Sequence, residues 1–407
     1  MKILLSAYAC RPHSGTEPGN GWHWAVNLAQ HKHEVWCFTS TRNKQYIDEQ
    51  LCREPIAGLH FVYAPVPAWV ETLQKKNHYK FVYLHYYFWQ KAAYRIAHAL
   101  HQEYPFDLAH HVTYGSLQMG SRLWQLPIPF IFGPVGGGQK APSALKKYLG
   151  ENWFFEYLRS LSVALQLRVF HTKSMLQSAQ LVLTTNQETY DLAASRGASH
   201  LKMELDTALP SNFFPEEKPS QNADNQLNVL WVGTMHPRKG VDLLLDVFLG
   251  LPHNITLTLV GGGALEQSVR NKVRQRGLDQ QVHCVGQVPY EKVKEYYRTH
   301  DVFVFCSLRD SFGSQLLEAM AYGLPIVTLD HQGAHDFVPD NAGIKIPVTE
   351  APEIIREIQA ALLHLQHNAH ERRAMGANAF AYAKGQRWDE KVQHTVKDYY
   401  SLFAKQH

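Results

Sequence analysis

One rhythm occurs twice along this chain: a short apolar run, a glycine-bearing turn, then an amphipathic helical stretch. In the first half the runs are KILLSA (2–7), HEVWCF (33–38), LHFVY (59–63), DLAHHV (107–112), PFIF (129–132) and LVLTT (181–185). In the second they are NVLWVG (228–233), ITLTLVG (255–261), QVHCVG (281–286), VFVFC (302–306) and PIVTL (325–329). Apolar runs of this length bounded by turns predict buried strands, and helices between successive strands predict parallel sheets covered on both faces. Between the two sets lies LPSNFFPEEKPSQNADNQ, rich in Pro, Asn, Ser and charge, which predicts a linker over 209–226. From 351 onward the pattern is all helical. The expected fold is therefore α/β, with two Rossmann-like doubly wound domains facing across a cleft. The expected division is 1–208, a linker, then 227–385, with a helix in 386–407 packing back on the first domain.

Composition narrows the function classes. Hydrophobic residues at 45% and charged ones at 19% describe a globular chain, and 407 residues suffice for two cores. Five cysteines include no CxxC pair, which predicts reduced thiols and a cytoplasmic protein. MKILLSAYAC reads as a first strand rather than a signal segment. No apolar stretch is long enough to span a membrane. Residues 1–210 hold 20 Lys and Arg against 14 Asp and Glu, whereas 211–407 hold 20 against 22. The basic first half predicts an anionic partner. Basic-aromatic motifs and zinc spacings are missing, so that partner is not expected to be a nucleic acid.

Four features fall where parallel sheets present ligands. SGTEPGNGWHW (14–24) places Gly15, Gly19 and Gly21 in a loop opening a helix, where amides can approach an anion. VGTMHPRKG (232–240) ends a strand at Gly233, then offers Arg238 and Lys239 before a helix. Cations at a helix N-terminus oppose its dipole, which favours a diphosphate clamp over a solvated helix start. LVGGG (259–263) lacks the GK[ST] of a P-loop and the full GxGxxG spacing. In SLRDSFGSQLLEAMAYGL (307–324), Ser311 can cap the following helix and the Phe312-Gly313 amides can face a phosphate. There Glu318 can accept from a ribose diol, and Asp310 stands nearer the loop mouth.

The last three of these motifs, with HQGAHDFVPDNAGIKIP (331–347), resemble the donor domain of the retaining glycosyltransferases of family 4, which have the GT-B fold. SAYACRPHSGTEPGNGWHWA (6–25) and FGPVGGGQ (132–139) are similar to acceptor-domain loops of one subgroup. The resemblance implies that Glu318 binds the nucleotide ribose, Lys239 the diphosphate, and the Ser311, Phe312 and Gly313 amides a phosphate. It also implies donor contacts for Gly15, Gly233, Thr234 and Gly262, and acceptor contacts for Glu17, Gly136 and Gly137. Asp310 stands where the family usually has Glu, contacting the transferred sugar. Thr234 stands where an Arg is common, with Arg238 a substitute. Gly133 stands where many members carry a histidine; His110 and His111 are candidates to replace it, His111 in a catalytic role.

No DxD motif occurs, so no metal and no cofactor is expected, and fixed cations would stabilise the leaving diphosphate instead. The implied reaction is retaining transfer of a hexose-type sugar from a nucleotide sugar to a glycan or lipid-linked saccharide. HYKFVYLHYYFWQKAAYR (78–95) and WFFEYLRSLSVALQLRVFHTK (153–173) mix aromatics with cations. They are either buried helices with a basic outer face or peripheral contacts with an anionic membrane. Within the fold, the rivals are a sugar-nucleotide epimerase and a phosphorylase. From another class comes a catalytically weakened subunit that only binds nucleotide sugar or glycan.

Overall fold

The computed structural model describes residues 1–76, 81–169, 172–216 and 226–403, which form two compact units. Unit 1 comprises 1–138, 161–208 and 388 onward, and unit 2 comprises 139–160 and 209–387.

Unit 1 holds a seven-stranded, wholly parallel sheet in the order β3-β2-β1-β4-β5-β6-β7. Its strands are β1 (Lys2–Ala7), β2 (Glu34–Ser40), β3 (Leu59–Ala64), β4 (Leu108–Thr113), β5 (Phe130–Val135), β6 (Leu181–Thr184) and β7 (Leu201–Met203). Successive side chains point to opposite faces, so each central strand feeds two cores. Ile3, Leu5, Leu108, Ile131 and Leu183 line one face; Leu4, Ala109, Phe132 and Val182 line the other. The helix Trp388–Asp398 completes the first of these cores, where Trp388, Val392 and Tyr400 are buried.

Unit 2 holds a six-stranded parallel sheet in the order β10-β9-β8-β11-β12-β13. Its strands are β8 (Leu227–Val232), β9 (Ile255–Val260), β10 (Val282–Gly286), β11 (Val302–Phe305), β12 (Ile326–Leu329) and β13 (Gly343–Ile346). In both sheets the order reverses direction beside the first strand, between β1 and β4 and between β8 and β11. Chain connections there diverge to opposite faces and leave an opening beyond the strand carboxyl ends.

The boundary expected at 208 places 139–160 in the first domain, but these residues cluster in unit 2. Leu145, Tyr148 and Leu149 are buried in its core, and the Tyr148 hydroxyl donates to Asp246 at 2.8 Å. Part of the expected linker, 217–225, lies outside the described residues. Its beginning is structured: Ser211–Phe213 forms a 3-10 turn with Phe213 buried edge-on to Tyr322.

Candidate functional site

In unit 2 the chain leaves β8 at Gly233, passes the exposed Thr234, and makes a 3-10 turn over Pro237–Lys239. Gly240 closes that turn with φ +70°, and a Cβ there would lie 2.0 Å from the Cys306 carbonyl. Only glycine permits this approach, which sets Arg238 and Lys239 against the end of β11. The Leu308 amide and Ser307 hydroxyl then both donate to the Arg238 carbonyl, at 2.7 and 3.2 Å.

Asp310 is the focus of that junction. Its carboxylate accepts from Lys239 Nζ, lies 3.5 Å from an Arg238 nitrogen, and accepts from the Ser307 hydroxyl at 3.3 Å. Burial pushes the Asp310 carboxyl up, but the charges of Lys239 and Arg238 outweigh it and hold the group below the usual carboxylate range. Burial lowers the Lys239 ammonium despite the pull of Asp310. Fixed positive charge thus gathers at the switch point, with one internal carboxylate as counter-ion.

The Ser-Phe-Gly turn follows. Gly313, at φ +99°, occupies the N-cap of the helix Ser314–Ala321 and no side chain caps it. The expectation that Ser311 caps this helix is corrected: the helix begins two residues too late for its hydroxyl. Phe312 is buried edge-on to Phe337. Glu318 is buried in the next turn, and its two oxygens accept from the Tyr297 and Tyr290 hydroxyls at 2.8 and 3.2 Å. Burial raises the Glu318 carboxyl, and the hydroxyls of Tyr297, Tyr290 and Ser314 work against that rise. Sequence reasoning missed both tyrosines, because nothing local ties residues 290 and 297 to 318.

The loop after β9 lies alongside the loop after β8. The Met235 amide donates to the Gly262 carbonyl at 2.8 Å, and a Cβ on Gly261 would meet the Gly233 carbonyl at 1.9 Å. LVGGG therefore has a packing role, holding Gly233, Thr234 and Gly262 together.

In unit 1, Glu17 lies in the first turn of the helix Thr16–Gln30, after an N-cap Gly15. One Glu17 oxygen accepts from the Gly115 amide at the end of β4. The Gly136 amide donates to the Gly115 carbonyl at 3.0 Å, and Leu117 donates back to Gly136 at 2.9 Å. A Cβ on Gly137 would lie 3.5 Å from the Leu117 amide. Glu17, Gly136 and Gly137, remote in sequence, are thus gathered at one switch point. Burial pushes the Glu17 carboxyl up to about 7, with the Gly115 amide opposing and Asp206 adding to the rise.

The catalytic expectation for His111 is corrected. It is fully buried on β4 and stacked on Phe132, with Nδ1 2.8 Å from the Ser6 hydroxyl and Nε2 3.2 Å from the Tyr114 carbonyl. Because that carbonyl only accepts, Nε2 carries the proton and Nδ1 accepts from Ser6. Burial holds the His111 ring down to about 4. His110 is equally enclosed, between the Gly133 carbonyl and Tyr400, and burial holds it down to about 3. Both are neutral structural residues that leave no ring nitrogen for a substrate.

A further polar chain escaped the sequence reading. The Tyr8 hydroxyl meets His85 Nδ1 at 3.0 Å, His85 Nε2 meets Glu71 at 2.9 Å, and Arg42 Nε donates to Glu71 at 3.0 Å. Its members are spread from residue 8 to 85 without a recognisable spacing. Among the described residues, no group of three His, Cys, Asp or Glu side chains is placed to hold a metal ion.

Residues 213–381 match the family model described as Glycosyl transferases group 1. The O-antigen chain mannosyltransferase B of Escherichia coli is 29% identical over 175 residues, which is 42% of this chain and 45% of that protein. The chain spans about half the length of the curated relatives it matches. Among solved structures, sucrose-phosphate synthase from Thermosynechococcus elongatus superposes with a TM-score of 0.68 at 20% identity, over 99% of each chain. The Anabaena protein HepE, solved in complex with UDP, gives 0.66 at 16% identity, over 99% of this chain and 100% of that one. These likenesses give the chain the GT-B fold.

Proposed function

From residues 213–381 as a group 1 glycosyltransferase segment within a GT-B fold, we propose that the protein is a retaining, metal-independent glycosyltransferase. It moves a hexose-type sugar from a nucleotide sugar to a glycan or lipid-linked saccharide. The observation that carries this reading is the junction of Arg238, Lys239 and Asp310 at the β8–β11 switch point.

At this junction Asp310 neutralises Lys239. An entering diphosphate takes over as counter-ion for Lys239 and Arg238, and Asp310 turns to the hydroxyls of the sugar. Glu318 accepts from the ribose diol, with Tyr290 and Tyr297 fixing its carboxylate. The bond between the anomeric carbon and the β-phosphate oxygen then breaks while one to the acceptor oxygen forms. The acceptor proton passes to a β-phosphate oxygen on the same face. Charge building on the leaving diphosphate meets cations that are already in place, so little reorganisation accompanies the step. Glu17, Gly136 and Gly137 supply polar contacts to the acceptor.

The helix Asn152–Val169 supports a peripheral contact with an anionic membrane at its cytoplasmic face. Phe154, Phe155 and Leu158 are all exposed on its unit 2 part, at helical spacing. Among the described residues, no helix is long and apolar enough to cross a membrane.

Calorimetry without added metal against UDP-, GDP- and ADP-sugars, comparing the wild type with Glu318→Ala, tests the donor site. Selective binding of one nucleotide, lost in the variant, is the expected result. No binding by a folded sample overturns the reading. Binding with neither transfer nor donor hydrolysis would move the protein to the binding-subunit class.

A further inference from the structure

Residues 139–160 reach the Asp310 loop of unit 2 along two separate lines, and neither has a part in the reaction as derived above. Along the first, the Glu156 carboxylate forks onto Arg309, with Nε to Oε2 at 2.6 Å and a terminal nitrogen to Oε1 at 3.0 Å. Arg309 in turn offers its carbonyl to Arg238 at 3.1 Å. Along the second, the Asp310 amide donates to Gln332 Oε1 and Gln332 Nε2 donates to the Lys140 carbonyl, both at 2.8 Å. The segment is itself anchored. Leu145 and Leu149 are in the core, and Arg159 ties Glu156 at 3.2 Å to the Gln139 carbonyl at 2.7 Å.

Two physical features mark the Glu156–Arg309 pair as more than a surface ion pair. Its side chains keep only 13% and 18% exposure, and a bidentate fork fixes direction as well as distance. It also decides the charge near the donor. Arg238, Lys239 and Arg309 are three cations whose charges act on Asp310, and Glu156 is the carboxylate that pairs with Arg309.

We infer that Glu156 is a positioning residue of the donor site: through Arg309 it fixes the Asp310 loop and keeps the Arg309 guanidinium off the diphosphate. The inference rests on the donor-site reading given above. It predicts that affinity and turnover move in opposite directions when Glu156 loses its charge, which a merely structural residue would not produce.

The test uses the full chain with Glu156→Gln and Arg309→Gln. The probes are UDP, GDP and ADP with their glucose derivatives, taking the diphosphate that the wild type binds. In E156Q the bare diphosphate binds two- to tenfold tighter, because the released Arg309 adds a cation. The affinity increment contributed by the sugar falls about tenfold, and transfer or donor hydrolysis falls at least as much. In R309Q the tightening is absent while the loss of turnover remains, and the double variant is no worse than R309Q. Parallel weakening of diphosphate and sugar binding, or no change in either, overturns the inference while leaving the donor reading intact. A wild type that binds no diphosphate overturns the donor reading and this inference with it. Should E156Q not fold, Glu156→Asp keeps the charge but shortens the reach, and is expected to lose the sugar increment without tightening the diphosphate.

Discussion

Replacing Asp310 by Asn and Lys239 by Met perturbs one ion pair from its two ends, and the consequences should be opposite. Asp310→Asn leaves Lys239 buried with its counter-ion gone and Arg238 close by. Removing one partner of a fully buried pair costs about 3–5 kcal/mol. Here the Lys239 and Asp310 side chains keep 9% and 19% exposure, so about 2–4 kcal/mol is expected. Lys239→Met leaves Asp310 with Arg238 and the Ser307 hydroxyl, and stability should change by less than about 1 kcal/mol. Binding reverses the order. Without Asp310 the cations have no internal competitor, and the bare diphosphate should bind about three- to tenfold tighter. Without Lys239 a charge-assisted hydrogen bond worth about 1.5–3 kcal/mol is lost, which weakens the diphosphate about ten- to a hundredfold. Turnover should collapse in both. Urea unfolding gives the first comparison and calorimetry the second. A D310N variant that binds diphosphate more weakly than the wild type would refute the account of Asp310 as an exchangeable counter-ion.

The Glu17 carboxyl is raised to about 7 in the folded chain, so the native state holds its proton more tightly than the unfolded chain does. Its stabilising contribution is complete below the unfolded value near 4.5 and is lost as pH rises through 7. Glu17→Gln should therefore gain about 1–3 kcal/mol relative to wild type at pH 8 and little at pH 4.5, read from urea midpoints at the two pH values. His111→Gln should lose about 1–3 kcal/mol by thermal unfolding, since it breaks buried hydrogen bonds, while the KM for acceptor stays within about twofold. Changing Phe154 and Phe155 to Ser should leave folding intact and abolish co-sedimentation with vesicles containing anionic lipid, because two exposed rings contribute about 1.5–3 kcal/mol each when buried. Unchanged sedimentation would remove the membrane contact from the reading.

Much of the architecture is legible in the sequence where burial is complete. The interior strands β1, β4, β5 and β11 are almost wholly buried, so continuous apolar runs expose them. The two strands that the runs do not reveal are sheet edges. In β7, Lys202 and Met203 are exposed, and β13 has four residues beginning with glycine. Asp310, Lys239 and Glu318 stand out because their chemistry sits at a glycine turn or helix start, a local signal. Tyr297, Glu156 and the Tyr8–His85–Glu71 chain carry no such mark. Their partners are 21, 153 and up to 77 residues away, and only the folded sheet brings them together. His111 misleads for the reverse reason. A histidine in an apolar run advertises chemistry, yet full burial between Ser6 and Tyr114 makes it a packing residue.

The division of the chain between its units bears on how the molecule is made. Unit 1 is interrupted after Ala208 and resumes only at Trp388, and Tyr400 must arrive before His110 gains its buried partner. A ribosome releasing this chain from its N-terminus therefore delivers the second sheet before the first can close its core. Until then the Trp24 face lies bare, and Trp388 is the ring that covers it. A transcript cut short before residue 388 would yield a first unit with an open apolar face, a ready substrate for chaperones and proteases even though every strand of both sheets had been synthesised.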